Sequence, residues 1–302
     1  MTETDPTRRR RAPLVGTGAA PSTSHRPGPS GGPGASPAAD VALLVDLDRY
    51  PIDDLAHPVT VDLVAGGAEA MATTGAFELT AFLSPTGVAA CVADAIALEP
   101  FAHRSHGTTT PYLEQPDRAD WPDGHPRVRR NPFSLGAVAY DLFPASSPVR
   151  AIYEWPALLR FVAAVLGRDE LFRYADPLGA LNLAVMADGD ELGWHFDQTD
   201  FVVSLALRSA EVGGELEVVP ATRRADDERY DHVAASLDGD VVPEVLPNVA
   251  GTLLLFAGRG SLHRVSPIAG PTTRLMALFG YDDRPDTRSS ETLQRSRYGR
   301  TA

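Results

Sequence analysis

The sequence predicts a mainly β fold, a sandwich or barrel, flanked by helices from the N-terminal half of the chain. Two observations predict this class. The second half holds five short apolar or alternating runs separated by clusters of Gly, Pro and Asp, which is typical of strands in such folds. The first half instead holds two Ser-Pro pairs, each followed by apolar residues at helical spacing.

Two helices are predicted in the first half. Ser84 is a suitable N-cap before a proline at the first helical position, and apolar residues recur from there to Glu99. Ser147 begins a second pattern in the same way, and that amphipathic stretch stops at Gly167. Residues 101–133 are rich in His, Pro and Arg without a clear period, so we predict a loop there.

The predicted strands lie mostly in the second half. A strand or entry segment is expected at 76–83, and core strands are expected at 180–187, 201–207, 215–219, 252–257 and 274–281. The interval 220–249 interrupts them, and its sequence predicts a short helix or an acidic insert, which would serve either as a solvated connection or as an active-site lid.

Composition excludes several classes of function. The 302 residues carry a net charge of −13, with 27 basic residues that are all Arg, and an acidic chain without a basic stripe is not built to bind duplex nucleic acid. The single Cys91 excludes an intrachain disulfide and a cysteine-based zinc site. No apolar run approaches the roughly 18 residues of a membrane span, so we expect a soluble, cytoplasmic protein.

The first forty residues differ from the rest in composition. They hold seven Pro, six Gly and four Ser, and four consecutive Arg begin at Arg8. This Pro/Gly content predicts a disordered tail over 1–40, and residues 41–302 are expected to form one domain.

Three potential metal ligands lie on the predicted strands. His195 and Asp197 are two residues apart in an extended segment, so their side chains point to the same face. His263 follows the strand at 252–257 and a Gly-rich turn, and it can complete a three-ligand face if the two strands are neighbours in a barrel. Two His and one carboxylate form the facial triad of non-haem Fe(II) oxygenases.

Arg274 begins a strand that is otherwise apolar. A guanidinium inside a β-barrel is costly unless it meets an anion, and its planar fork suits a carboxylate. The alternative is an Arg at a strand end that extends to solvent.

These segments resemble the core of Fe(II)/2-oxoglutarate-dependent oxygenases, especially their prolyl-hydroxylase-like branch. The resemblance lies in LNLAVMADGDELGWHFD (181–197), GTLLLFAGRGSLHRVSP (251–267) and GPTTR (270–274), in that order. Residues 140–167, 173–182 and 297–300 further resemble a bacterial clade that includes hydroxylases and radical halogenases of free amino acids.

The resemblance implies a double-stranded β-helix, or jelly-roll, at about 173–285, with helices from 41–172 packed on its outer sheet. It also implies that Fe(II) is bound by His195, Asp197 and His263, and that Arg274 pairs with the distal carboxylate of 2-oxoglutarate. O2 is then the second co-substrate, succinate and CO2 are products, and ascorbate is a candidate reductant. Asn182 either binds 2-oxoglutarate as well or makes a structural hydrogen bond.

The halogenases of this clade replace the metal carboxylate by a small residue, which leaves room for a halide. Because Asp197 is present, we expect hydroxylation rather than halogenation, with desaturation left open. The expected substrate is a small molecule, a free amino acid or a natural-product precursor. Its candidate contacts are Trp194, Gln198, Tyr174 and Arg264. The alternatives are a peptidyl or protein hydroxylase and a non-enzymatic jelly-roll binding protein, and the sequence indicates no oligomeric state.

Overall fold

The structure, a computed structural model, describes residues 37–113, 121–224 and 226–302, with side chains from residue 41 onward. Most of the predicted tail, residues 1–36, lies outside the described residues, so its disorder remains a prediction. The first helix begins at Pro37, four residues before the expected start of the domain.

Seven α-helices occur within the described residues. They are α1 (Pro37–Leu44), α2 (Pro58–Thr73), α3 (Pro85–Leu98), α4 (Pro148–Glu154), α5 (Pro156–Val165), α6 (Tyr230–Asp238) and α7 (Glu291–Tyr298). The first five begin with a proline, whose missing N–H would be unpaired at this position in any residue. None of the helices in the described part of the chain has the length and apolar character that a bilayer span requires.

Both predicted helix starts are confirmed. The Ser84 hydroxyl accepts the N–H of Gly87 at 3.0 Å, and the Ser147 hydroxyl accepts the N–H of Arg150 at 3.1 Å. The second amphipathic pattern forms two helices rather than one stretch, because Trp155 is extended ahead of Pro156 and separates α4 from α5.

Thirteen strands occur in the same described residues. They are β1 (Ala76–Leu79), β2 (His103–Thr109), β3 (Asn131–Val138), β4 (Phe172–Arg173), β5 (Leu181–Met186), β6 (Glu191–His195), β7 (Val202–Arg208), β8 (Leu216–Val219), β9 (Glu244–Leu246), β10 (Leu253–Phe256), β11 (Leu262–Val265), β12 (Arg274–Phe279) and β13 (Tyr281–Asp282). All five predicted core strands are present, and the interval 220–249 contains the short helix α6 together with β9.

Eleven of these strands form one antiparallel sheet in the order β1-β10-β7-β12-β5-β3-β6-β11-β8-β9, with β2 paired to β3. The sheet curls around an interior, which is the jelly-roll arrangement that the sequence predicts. Strand β3 lies between β5 and β6 and connects the strands on either side of it. It pairs with β5 through residues 136–138 and with β6 through Phe133 and Ser134.

The predicted loop at 101–133 was wrong. It contains β2 and the beginning of β3, which pair over seven residues from His103↔Ala137 to Thr109↔Asn131. Strand β2 is almost entirely polar and exposed, so it lacks the alternation by which a half-buried strand is recognised.

Alternation along the central strands separates two environments. On β12, Leu275, Ala277 and Phe279 pack into the core that the sheet shares with the helices, whereas Arg274, Met276 and Leu278 face the interior of the curled sheet. On β5, Leu183 and Val185 likewise face the helices, and Asn182 faces the interior. The interior is therefore the only side on which these strands place polar groups.

The junction of α1 and α3 offers a test of this packing. A methyl group at Gly87 would lie 2.0 Å from the carbonyl oxygen of Leu44, whereas one at Gly66 in α2 would meet nothing within 4 Å. We expect Gly87→Ala to lower the free energy of unfolding by about 2 kcal/mol or more, and Gly66→Ala to raise it by up to about 1 kcal/mol. Urea unfolding measures both, and equal effects would contradict this account of the junction.

Candidate active site

A cavity of about 940 Å³ is lined by inward-facing residues of β5, β6, β7, β11 and β12. It contains the three predicted metal ligands and Arg274. Its lining is mostly apolar on the strands, with Leu254, Phe256 and Met276 among the contributors. Polar side chains such as Asn182 and Arg274 lie among these apolar neighbours.

The register of two strands brings the ligands together. His195 ends β6, and it lies directly opposite His263 of the antiparallel strand β11. The two imidazole centroids are 4.2 Å apart. Asp197 follows two residues after His195, and its backbone N–H donates to the carbonyl of Gly258 at 3.1 Å.

The three ligand atoms converge. One Asp197 carboxylate oxygen lies 3.8 Å from Nε2 of His195, and the other lies 3.5 Å from Nε2 of His263. All three groups offer ligand atoms within 4.8 Å of one another. Two imidazoles and one carboxylate at this separation can hold a divalent metal ion while leaving other coordination positions open.

Backbone carbonyls orient both imidazoles. Nδ1 of His195 donates to the carbonyl of Gly193 at 2.8 Å, and Nδ1 of His263 donates to that of Ser261 at 2.9 Å. A carbonyl can only accept, so the proton of each neutral ring lies on Nδ1. An imidazole in this form can offer the lone pair of Nε2 to a metal ion.

Burial sets the protonation states. It lowers the pKa of His195 to about 4, helped by the neighbouring His263, so this imidazole is neutral near pH 7. Burial alone would raise the pKa of Asp197, but His263 and then His195 stabilise the carboxylate and hold its pKa below the usual value. The site thus combines a neutral imidazole with an ionised carboxylate, which suits cation binding.

Arg274 is 5% exposed at the start of β12. Its Nε donates to the carbonyl of Gly214 at 2.8 Å, and Nη1 lies 3.7 Å from the sulfur of Met186. Burial lowers its pKa to about 10, partly offset by Glu215, so the guanidinium stays charged at neutral pH. No carboxylate in the described part of the chain forms an ion pair with it, although a buried charge without one is costly.

Three other candidates also line the cavity. Asn182 is 7% exposed on β5. The carbonyl of Gln198 accepts a hydrogen bond from Arg259, which places this residue at the loop after the triad. Burial raises the pKa of Tyr174 to about 12, so its phenol is a neutral donor.

Trp194 and Arg264 do not line this cavity. Each is adjacent in sequence to a metal-ligand candidate, so strand alternation turns its side chain to the opposite face. There Arg264 pairs with Glu217 at 2.8 Å and lies 4.9 Å from the centroid of the Trp194 ring. The predicted substrate contacts at these two residues are corrected accordingly. Phe196 is also turned away and is 1% exposed, as alternation predicts.

Sequence reasoning missed two residues at the site. A Cβ at Gly258 would lie 1.8 Å from a carboxylate oxygen of Asp197, so only glycine permits this close approach. Arg297 lines the cavity from α7, and although residues 297–300 belong to the wider resemblance, no role at the site was predicted for this residue. A Gly-rich turn before His263 was visible in the sequence, but no pattern distinguished Gly258 within it.

Known structures share this fold. The non-haem α-ketoglutarate-dependent carbocyclase SnoK of nogalamycin biosynthesis is 16% identical, with a TM-score of 0.54, and the match covers 78% of this chain and 92% of that one. The epimerase SnoN of the same biosynthesis is 15% identical, with a TM-score of 0.50 and coverage of 74% and 83%. SnoN is also similar in its complex with Fe3+, α-ketoglutarate and nogalamycin RO, again with a TM-score of 0.50, at 15% identity over 73% of this chain and 84% of that one. No curated protein matches the chain.

The fold is therefore the one that these α-ketoglutarate-dependent enzymes share, and within it the His-Asp-His triad could hold a metal ion. A family model defines the class more narrowly. The model of the halogenase D family matches residues 136–297, more than half of the chain, so the chain belongs to that family.

Gly258 provides a test of the triad. We expect Gly258→Ala to displace the Asp197 carboxylate and to weaken Fe(II) binding by about tenfold or more, the scale of effects on residues that orient metal ligands. Anaerobic titration with Fe(II) measures the affinity, and thermal unfolding checks that the variant is folded.

The matched control is Gly260→Ala in the same turn. A methyl group there would lie 3.6 Å from the carbonyl oxygen of Arg223, an ordinary contact, so we expect an unchanged affinity. Equal iron affinities in the two variants would contradict the placement of Asp197 against Gly258.

Proposed function

We propose that the protein is an Fe(II)/2-oxoglutarate-dependent dioxygenase that hydroxylates an unactivated C–H bond of a small molecule, a free amino acid or a natural-product precursor. The observation that carries this proposal is the pairing of a complete His-Asp-His triad with the buried, uncompensated guanidinium of Arg274 in one cavity. The first group can bind the metal, and the second can bind an anionic co-substrate.

The ligand set fits Fe(II). His195, Asp197 and His263 offer two nitrogens and one oxygen, the ligands of a facial triad with open positions. When bound, iron would activate O2, which is the oxidant, with one oxygen atom used to convert 2-oxoglutarate to succinate and CO2 and the other inserted into the substrate C–H bond. The protein orients the three ligands through Gly193, Ser261 and Gly258, and the walls of the cavity restrict water around them.

The buried guanidinium of Arg274 is suited to bind a carboxylate of 2-oxoglutarate. Among the residues that the structure describes, it has only a carbonyl and a sulfur as hydrogen-bond partners, so donors remain for a carboxylate. A dicarboxylate that reaches the triad with one end would place its other carboxylate against this fork. The pair would offset the cost of burying the guanidinium.

The cavity favours a small substrate. Its volume of about 940 Å³ lies within the range of small-molecule sites, roughly 300–1,000 Å³. The contacts that remain proposed are Asn182 for 2-oxoglutarate, and Gln198 and Tyr174 for the substrate.

Halogenation is the second candidate, and the family match favours it. A halide needs a coordination position on the metal, and the Asp197 carboxylate fills one, since its oxygens lie 3.5 and 3.8 Å from the two imidazole nitrogens. We therefore propose hydroxylation by this member of the family.

A screen of free amino acids decides between the two reactions. The protein is incubated with Fe(II), 2-oxoglutarate, O2, ascorbate and chloride, and products are analysed by mass spectrometry with succinate measured in parallel. Gain of one oxygen atom supports hydroxylation, and gain of chlorine overturns it. Absence of succinate under all conditions would remove the oxygenase assignment itself.

Asp197 is tested by removal. Asp197→Ala takes away the only anionic metal ligand, so we expect Fe(II) binding to weaken and hydroxylation to be lost. Asp200→Ala is the control, because this carboxylate lies three residues further on and pairs with Arg259 at 2.7 Å. Hydroxylation at the wild-type rate in Asp197→Ala would show that the triad is wrongly assigned.

Arg274 is tested by the dependence on 2-oxoglutarate. Removing one partner of a buried charge pair costs roughly 3–5 kcal/mol, so we expect Arg274→Ala to raise the apparent KM for 2-oxoglutarate about a hundredfold or more. Iron content should be unchanged, and Arg274→Lys should recover only part of the loss, because an ammonium lacks the two-point fork.

Arg264→Ala is the matched control, since Arg264 already pairs with Glu217 outside the cavity. An unchanged KM for 2-oxoglutarate in Arg274→Ala would move the anchor of the co-substrate to another residue.

A further inference from the structure

The backbone carbonyl of Gly214 is shared by two side chains that line the cavity. Nε of Arg274 donates to this oxygen at 2.8 Å, and the amide nitrogen Nδ2 of Asn248 donates to it at 3.0 Å. A carbonyl oxygen has two lone pairs, so the two donors together satisfy it. The amide of Asn248 is therefore a direct neighbour of the guanidinium that is suited to bind 2-oxoglutarate.

The turn that carries this carbonyl is built from two consecutive glycines. Gly213 and Gly214 have φ angles of +74° and +77°, a region that glycine enters without steric cost. A Cβ at Gly214 would lie 2.9 Å from Cδ of Arg274, so the stem of the arginine packs directly on the backbone of the turn. The orientation of the Gly214 carbonyl therefore determines where the guanidinium lies.

Asn248 approaches the turn from a loop that is fastened to the sheet. It is half-buried in the loop between β9 and β10. Its backbone carbonyl accepts the hydroxyl of Ser209, which directly follows β7. In the same loop, the N–H of Gly251 donates to the carbonyl of Ala206 in β7 at 2.7 Å. These bonds hold the amide of Asn248 in place against Gly214.

Strand β12 gives Arg274 no comparable support. The next inward-facing residues of this strand are Met276 and Leu278, and the residue opposite Arg274 on β5 is Met186. These side chains offer no oxygen acceptor, and the sulfur of Met186 lies 3.7 Å from Nη1. Because the long stem of an arginine has many rotamers, a two-point contact through Nη1 and Nη2 requires the guanidinium to be held in one orientation. Within the described residues, the carbonyl of Gly214 is the one oxygen to which it donates.

We propose that Asn248 is a positioning residue for 2-oxoglutarate. Its amide orients the Gly214 carbonyl, which holds Nε of Arg274 and leaves Nη1 and Nη2 for the distal carboxylate. The inference rests on the proposed function, and it adds a residue that acts through Arg274. In the described part of the chain the Asn248 side chain bonds to Gly214 and not to the triad, so it affects the binding of one end of the co-substrate and not that of the metal.

The experiment separates the two ends of the co-substrate. The probes are 2-oxoglutarate and 2-oxopentanoate, which has the same carbon chain with a methyl group in place of the distal carboxylate. Dissociation constants are measured by anaerobic calorimetry on the full chain loaded with Fe(II), and KM and kcat for 2-oxoglutarate are taken from succinate release. The wild type should bind 2-oxoglutarate about a hundredfold more tightly, because only this acid pairs with Arg274.

Two variants change the amide. Asn248→Ala removes it, and the usual net effect of one hydrogen bond predicts that the Kd and the KM for 2-oxoglutarate rise about threefold to tenfold. Asn248→Asp keeps the shape of the side chain but cannot donate to the carbonyl, and its carboxylate competes for Arg274, so we expect at least the same loss. The Kd of 2-oxopentanoate, the kcat and the Fe(II) affinity should stay at wild-type values in both variants.

Asn131→Ala is the matched control. The amide of Asn131 also donates to a backbone carbonyl, that of Trp194, at 3.0 Å, and this residue does not line the cavity. The same kind of hydrogen bond is therefore lost at a position away from Arg274. We expect Asn131→Ala to keep the wild-type ratio of the two dissociation constants.

A double-mutant cycle shows whether Asn248 acts through Arg274. Without the guanidinium there is nothing for the amide to position, so the double variant Asn248→Ala, Arg274→Ala should bind 2-oxoglutarate as Arg274→Ala does alone. If the loss caused by Asn248→Ala persists in full in the Arg274→Ala background, Asn248 acts independently and the positioning role is overturned.

The remaining outcomes also separate the two proposals. An unchanged Kd for 2-oxoglutarate in Asn248→Ala, or an equal loss for both acids, overturns the role of Asn248 and leaves Arg274 as the anchor. Equal binding of both acids by the wild type removes the anchor at Arg274 and the positioning role with it. If the Fe(II)-loaded wild type binds neither acid and releases no succinate, the oxygenase assignment itself is lost.

Discussion

The pairing of β6 with β11 is the constraint on which the rest of the site depends. It sets His195 directly opposite His263, and the loop that follows β6 then brings the Asp197 carboxylate between their Nε2 atoms. A slip of one residue in either strand would turn one imidazole to the outer face. The outer-face neighbours hold this register, because Phe196 packs into the apolar cluster that contains Leu262. The metal site is therefore a consequence of strand pairing and of packing on the far side of the same strands.

The same alternation explains how a charged residue can sit in the interior. Arg274 shares β12 with Leu275, Ala277 and Phe279, which pack in the core between the sheet and the helices. Its position on the interior face follows from theirs, because successive side chains of a strand point to opposite faces. The structure thus places the Asp197 carboxylate and the Arg274 guanidinium in one cavity, and within the described parts of the chain neither forms an ion pair with a side chain of opposite formal charge. A metal cation would pair with the carboxylate, and one end of a dicarboxylate would pair with the guanidinium.

Much of the fold and the triad could be predicted from the sequence, because both rest on local signals. Apolar runs located the core strands, Ser-Pro pairs located α3 and α4, and the spacing of His195 and Asp197 fixed a shared face. The failures have physical causes. The polar strand β2 pairs with β3 without burying either of its faces, so its sequence shows no alternation of apolar and polar residues. Gly258 acts through its close approach to Asp197 across the fold, which spacing along the chain does not reveal. Trp194 and Arg264 were assigned to the cavity for their proximity in sequence, although alternation alone places them outside it.

The family is named for halogenation, whereas the Asp197 carboxylate would occupy a coordination position if the triad holds iron, so the choice of reaction depends on the ligands around that iron. The most direct measurement is an anaerobic crystal structure of the full chain with Fe(II), 2-oxoglutarate and chloride. The account predicts one iron bound by His195, Asp197 and His263, no chloride on the metal, and the distal carboxylate of 2-oxoglutarate paired with Arg274. Chloride in the coordination sphere with Asp197 displaced, or a 2-oxoglutarate carboxylate paired with a different arginine, would contradict it.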